Sequence, residues 1–214
     1  MRILFTGFEP FGEHDVNPSW QAVSALPSQI ETPTGAVAID TQQLPVTYAD
    51  AMAQVRQFVS SGTYQAIVLC GVNGRGTAID IESQAVNEAS SSIPDNSGYH
   101  PHGEPLVQGG DDVLMAPWPA EYLVATLRSQ GFPVAQSHDA GKYVCNSSLY
   151  ALADSVRNQS RGVDGDTTPI RGGFVHVPPT SVVSIETVTA ALQALATVLA
   201  GFSQALSNSR KLPD

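Results

Sequence analysis

Cysteine is scarce in this chain, two in 214 residues. That is too few for the disulfide framework on which small extracellular domains depend. Positive charge is scarce as well. Ten Lys and Arg stand against twenty Asp and Glu, a formal net charge of −10. An excess of that sign offers no basic face to a nucleic acid or an anionic membrane, so neither is expected as a partner. Long unbroken apolar runs are missing too. The N-terminus, MRILFTGF, turns apolar at once but for only a few residues, without the longer apolar stretch and small-residue cleavage site of a signal peptide. The most apolar later stretch, residues 188–202, is interrupted by Gln and Thr and reads as a buried helix rather than a membrane span. A cytoplasmic, soluble protein is the expectation.

What is present is the material of a core. The composition is 42% hydrophobic and 14% charged, with abundant Gly and Pro for turns, and the length suffices for a single well-buried domain over residues 1–214. Arg2–Phe5 is a short apolar run ending at Thr6-Gly7, a first strand. Asn17 then stands as an N-cap, with Pro18 at the first helical position, where its missing N–H costs nothing. GAVAID (35–40) is strand-like. Thr47 is the expected cap of a helix with Asp50 three residues on and an apolar face of Met52, Val55, Phe58 and Val59. YQAIVLCG (64–71) is a continuous apolar run with a glycine stop, the mark of a strand buried on both faces. PAEYLVATLRSQG (119–131) predicts a helix. Further helices are predicted from Cys145 to about Asn158 and from Ser184 to about Ser207, with a strand at GFVHVP (173–178) between them. Alternating strands and helices predict an α/β fold, a largely parallel sheet with helices on both faces. Residues 90–112 and 160–172 break the rhythm. The first is long, polar and rich in Gly and Pro, and reads as a cover or a subunit contact.

Few residues here carry chemistry. Cys70, inside AIVLCG, reads as a small buried hydrophobe. Cys145 differs, because the spacing puts it at a helix N-terminus, where unpaired backbone N–H groups and the helix dipole favour a thiolate. The same groups can stabilise an oxyanion. Taken alone, it is a nucleophile or a structural cysteine packed on the sheet. A nucleophile needs a base. His14, His100, His102 and His138 lie in or beside polar loops; the His100-x-His102 pair has no third metal ligand nearby in sequence and reads as two solvated side chains. His176, between Val175 and Val177 in a strand closed by Pro178-Pro179, is either a satisfied core group or a base near a strand's carboxyl end, and the second reading is preferred. Glu82, in IDIESQAVN, is either a surface carboxylate or the group that fixes the imidazole's orientation. Spacing alone does not bring the three together.

Five segments nevertheless form a set. TGFEPFGEHDVNPSW (6–20), GVNGRGTAIDIESQAVNEA (71–89), IPDNSGYHP (93–101), AGKYVCNSSLY (140–150) and RGGFVHVP (171–178) together resemble the pyroglutamyl peptidases, in that family's order and across nearly the whole chain. The resemblance implies a cysteine peptidase of α/β/α fold that removes an N-terminal pyroglutamyl residue from peptides through an acyl-enzyme, without metal or cofactor. It implies a triad of Glu82, Cys145 and His176, an apolar substrate pocket built from Phe8, Phe11, Tyr143 and Val144, and a dimer or tetramer. The chain departs from the family at GVNGRG (71–76): Val72 stands where glutamine is common, and Gly76 where arginine is usual, with Arg75 one place early. Tyr143 replaces a common phenylalanine. A scaffold that binds pyroglutamyl peptides with little or no catalysis is the alternative reading, and a related α/β hydrolase or phosphorylase-like protein acting on another small amide is a third.

Overall fold

The computed structural model describes residues 1–12, 15–162 and 170–209; His14 and most of the 160–172 stretch lie outside the described residues. In chain order the first elements are β1 (Arg2–Phe8), α1 (Pro18–Ser24), β2 (Gln29–Thr32), β3 (Gly35–Leu44), α2 (Tyr48–Ser60) and β4 (Ala66–Val72). Four short strands follow, β5 (Ile79–Glu82), β6 (Gln84–Val86), β7 (Ala89–Ser90) and β8 (His102–Glu104). The chain then forms β9 (Val113–Met115), α3 (Ala120–Ser129), β10 (Val134–Ser137), α4 (Val144–Gly162), β11 (Arg171–Val177) and α5 (Ile185–Ser209).

Seven strands make one sheet in the order β10-β5-β11-β4-β1-β3-β2. β3, β1, β4 and β11 run parallel to one another, as β10 does to β5, while β2 on β3 and β5 on β11 are antiparallel. The central strands β1 and β4 are buried on both faces, which is why RILF and AIVLC are unbroken apolar runs rather than alternating ones. Successive strand residues point to opposite faces, and β11 displays this directly. A methyl group on Gly172 would strike Ile67 and approach Leu152 of α4, whereas one on Gly173 would strike the Trp118 indole ahead of α3. The close approach of layer to layer therefore needs both glycines. α4 packs with α2 on the first face; α1, α3 and α5 pack together on the second. The three-layer α/β/α architecture with a largely parallel sheet is thus the observed one.

α5 includes an 18-residue window, Ile185–Phe202, long and apolar enough by composition to cross a membrane. Its stripe Val188, Leu192, Leu195, Ala196 and Leu199 is buried in the core, at the i, i+4, i+7, i+8, i+11 spacing of a helix face turned inward. α1 begins as its sequence predicts: the Asn17 side chain accepts the Ser19 N–H at 3.0 Å and Pro18 opens the first turn. α2 likewise starts after its predicted N-cap, Thr47, but that side chain makes no capping bond and donates its hydroxyl to Asp50 at 2.9 Å. The Tyr48 N–H is taken at 3.0 Å by Asp95, 47 residues further along the chain.

Candidate active site

α4 opens with Val144 and Cys145, and its first backbone bond runs from the Ser147 N–H to the Tyr143 carbonyl. The earlier N–H groups of that turn have no acceptor within the helix, so they and the dipole create positive potential around the Cys145 sulfur. Asn146 locks the turn in place. It is fully buried, accepts the Val86 N–H at 2.9 Å, and donates to the carbonyls of Val86 at 2.9 Å and Glu88 at 3.2 Å. It thereby acts as a one-residue strand partner to the segment that leaves Glu82.

His176 and Glu82 meet because β11 and β5 are antiparallel. His176 is opposite Asp80 in that register, so Glu82, two residues on, is its diagonal neighbour on the same face. The imidazole Nδ1 bonds the Glu82 Oε1 at 2.7 Å, with both side chains buried. With Nδ1 so occupied, Nε2 is the nitrogen left for Cys145, with which the ring also interacts electrostatically. Burial by itself would make the imidazolium harder to form; the interactions with Cys145 and Glu82 and their negative charge outweigh it and raise the His176 pKa to about 10. Glu82 Oε2 is buried with no hydrogen-bond partner among the described residues, so the compensation of that carboxylate falls chiefly on the imidazole.

Beside the sulfur lies a small cleft of about 50 Å³. The four residues expected to line it, Phe8, Phe11, Tyr143 and Val144, all do, and Asn17, Val46 and Val72 join them and Cys145. Apart from the Cys145 thiol, none of these side chains is charged at neutral pH. The Phe11 and Tyr143 rings lie with centroids 6.5 Å apart, tilted at 49° to one another. Asn17, also the α1 cap, holds the wall through its Nδ2, which donates to the Glu9 carbonyl at 3.0 Å. Val72, of the GVNGRG run, presents an apolar side chain to the cleft. Arg75 of the same run is exposed. Sequence reasoning missed Val46, the wall role of Asn17, and Asn146; the asparagine following the cysteine was the one visible signal, as a polar residue on the inward side of an apolar helix. His100 and His102 are exposed with rings 4.5 Å apart, and His138 bonds Ser83 at 2.6 Å. Among the described residues no three His, Cys, Asp or Glu side chains group as metal ligands.

A thiol at a helix N-terminus, backed in turn by an imidazole and a carboxylate, is the layout of the cysteine hydrolases. The comparisons narrow the class. The family model for pyroglutamyl peptidase matches residues 1–209. The pyrrolidone-carboxylate peptidase of Thermococcus kodakarensis is 38% identical over 178 residues, covering 83% of this chain and 81% of that one. Its counterpart in Erwinia tasmaniensis is 32% identical over 97% of this chain and 92% of its own. Among solved structures, pyroglutamyl peptidase I of Bacillus amyloliquefaciens superposes with a TM-score of 0.82 at 32% identity, over 94% of this chain and 97% of that one. The pyrrolidone carboxyl peptidase of Thermococcus litoralis gives 0.82 at 26% identity, over 100% and 99% of the two chains. This chain belongs to the pyroglutamyl peptidase family.

Proposed function

We propose that the protein is a cysteine exopeptidase that hydrolyses the amide bond following an N-terminal pyroglutamyl residue, with residues 1–214 forming one domain. Cys145 sulfur attacks the pyroglutamyl carbonyl carbon as His176 holds the thiol proton, giving a tetrahedral oxyanion next to the first-turn N–H groups of α4. Collapse breaks the C–N bond. The imidazolium passes its proton to the departing amine, and a thioester joins the pyroglutamyl group to Cys145. His176 then takes a proton from water, whose oxygen attacks the thioester; pyroglutamate leaves and the thiol is restored. Glu82 orients the ring and supports its cationic form. The scheme calls for no metal and no cofactor.

One observation carries this reading: the Glu82 carboxylate bonds the His176 imidazole, which interacts with the Cys145 thiol at the edge of a cleft walled by aromatic and aliphatic side chains. Pyroglutamate is a flat lactam without an ammonium group, so aromatic and aliphatic walls can cover it while backbone groups meet its N–H and C=O. An ordinary N-terminus would have to leave its ammonium unpaired there, at a cost of several kcal/mol or more. The family likeness adds a cytoplasmic location and a dimer or tetramer to the reading. A chromogenic pyroglutamyl amide, assayed with and without iodoacetamide beside its prolyl analogue, is the test. Thiol-sensitive cleavage of the first, with kcat/KM far above that of the second, is expected. Tight binding of pyroglutamyl peptides without turnover would replace the peptidase by a binding scaffold, and equal kcat/KM values would end the account of selectivity.

A further inference from the structure

Residues 92–100 are exposed with one exception, Asp95, at 5%. A carboxylate buried within an exposed run must be satisfied locally, and this one is. Oδ1 accepts the Ser97 N–H at 2.9 Å, the Ser97 hydroxyl at 2.6 Å and the Tyr99 N–H at 3.0 Å, which close the turn upon itself. Oδ2 accepts the Tyr48 N–H at the start of α2. Burial alone would raise this carboxyl's pKa, but the donated hydrogen bonds overcome it and hold the pKa below the usual carboxylate value.

The turn so anchored bonds two residues of the pocket, Val46 and Tyr143, and the Glu9-Pro10 pair between Phe8 and Phe11. The Asn96 N–H donates to the Val46 carbonyl at 2.9 Å. The Asn96 side chain donates to Glu9 Oε1 at 2.8 Å and to the Pro10 carbonyl at 3.1 Å, in the loop that joins Phe8 to Phe11. Glu9 Oε1 in turn receives the Val46 N–H at 3.0 Å. The Tyr143 hydroxyl donates to the Pro94 carbonyl at 3.1 Å, and Tyr48 packs edge-on against both Tyr143 and Tyr99. Neither Asp95 nor Asn96 lines the pocket.

We propose that Asp95 is a positioning residue for substrate recognition: it ties the 94–99 turn to the start of α2, and through Asn96 that turn holds the Phe8–Phe11 loop, Val46 and Tyr143 at the spacing a lactam ring requires. The proposal rests on the reading of this cleft as the pyroglutamyl site. Asp95→Asn isolates the tie. One oxygen still serves Ser97 and Tyr99, but an amide N–H now confronts the Tyr48 N–H. Losing a hydrogen bond to a charged acceptor is expected to raise KM for the pyroglutamyl amide about tenfold, with kcat within about threefold. The rate at which iodoacetamide alkylates Cys145 should not change, because that small reagent needs no pocket. Amide exchange at Tyr48 and across residues 8–11 and 44–47 should quicken. An unchanged KM, or a fall in kcat and alkylation with KM preserved, would overturn the assignment. If wild-type protein cleaves no pyroglutamyl substrate, the functional reading fails by itself and exchange decides the tie: unaltered protection in Asp95→Asn refutes it, faster exchange sustains it.

Discussion

The two cysteines of this protein lie on either side of one strand end and differ in every respect that matters to a thiol. Cys70 is in β4 with no exposure, and Gly71 beside it faces the opposite way, towards Cys145 and Phe174. Around Cys70 there is only apolar core, and burial pushes its thiol pKa far above the ordinary range. Cys145 is half-buried at a helix N-terminus, in contact with a cationic imidazole. Reactivity here is therefore a property of address. A strand interior silences sulfur by withholding solvation and countercharge; a helix start beside His176 supplies countercharge on both sides.

The comparison breaks first at Cys145→Ala. Turnover of the pyroglutamyl amide should fall at least ~10⁴-fold, since nucleophile and acyl-enzyme vanish together. Circular dichroism and the melting temperature should stay close to wild type, because the side chain shrinks at a partly open site. Retained turnover would place the chemistry elsewhere.

Glu82→Gln comes next, with a fall in kcat of about 100-fold. It also predicts a pH effect whose sign is fixed. His176 has its folded pKa raised from 6.5 to about 10. Its cation thus adds stability in full below about 6.5, and that stability is lost as pH rises through about 10. The wild-type melting temperature should accordingly decline on the alkaline side towards pH 10, as should activity. Without the carboxylate the imidazolium loses a partner, and both declines should move to lower pH. Profiles that superpose would remove Glu82 from the dyad.

Much of this was legible in the sequence because the decisive signals are local. The run AIVLC, the Asn17-Pro18 cap and the Ala/Leu/Val-rich α5 each specify their element within a few residues, and their limits shifted only slightly. β1 reaches Phe8 rather than Phe5, β3 continues to Leu44, and α4 runs to Gly162. The five short strands from β5 to β9 went unread, since two to four residues carry no periodicity to count. So did edge strand β2, which is polar and half-exposed, and β10, buried at Val134 alone. Thr47 does stand at the α2 N-cap, as its pattern predicts; what the local pattern could not show is that its hydroxyl turns to Asp50 and that a carboxylate 47 positions away takes the Tyr48 N–H. Glu82, Cys145 and His176 were each visible as candidates. What no spacing could state was that β5 turns antiparallel to β11, which alone brings Glu82 diagonally across from His176.

Gly71→Ala sharpens the contrast from the strand itself. A methyl group there would sit 2.7 Å from Phe174 Cζ and 2.8 Å from Cys145 Sγ, closer than carbon tolerates. Phe174 is fully buried and has little room to retreat, so the sulfur is the group that moves. Displacement by a fraction of an ångström from the imidazole should lower kcat/KM by about tenfold, and alkylation by iodoacetamide should slow with it. A variant that keeps both rates would mean the thiol does not need its present position.

The smallest effect on chemistry belongs to Cys70→Ser, and it makes the comparison quantitative. Oxygen for sulfur hardly changes the shape of the side chain, but it places a strong hydrogen-bonding group in fully buried core, at a cost of about 1–3 kcal/mol if no partner is reached. The expected result is a lower melting temperature and a lower denaturant midpoint, with kcat, KM and iodoacetamide sensitivity at wild-type values. The corresponding exchange at Cys145 should do the reverse: little loss of stability and near-complete loss of turnover, because a serine hydroxyl at neutral pH gives far less of the anion that the helix start and imidazole favour. If both serines behaved alike, in stability or in rate, the difference between the two addresses would not be electrostatic, and the raised imidazole pKa would need another cause.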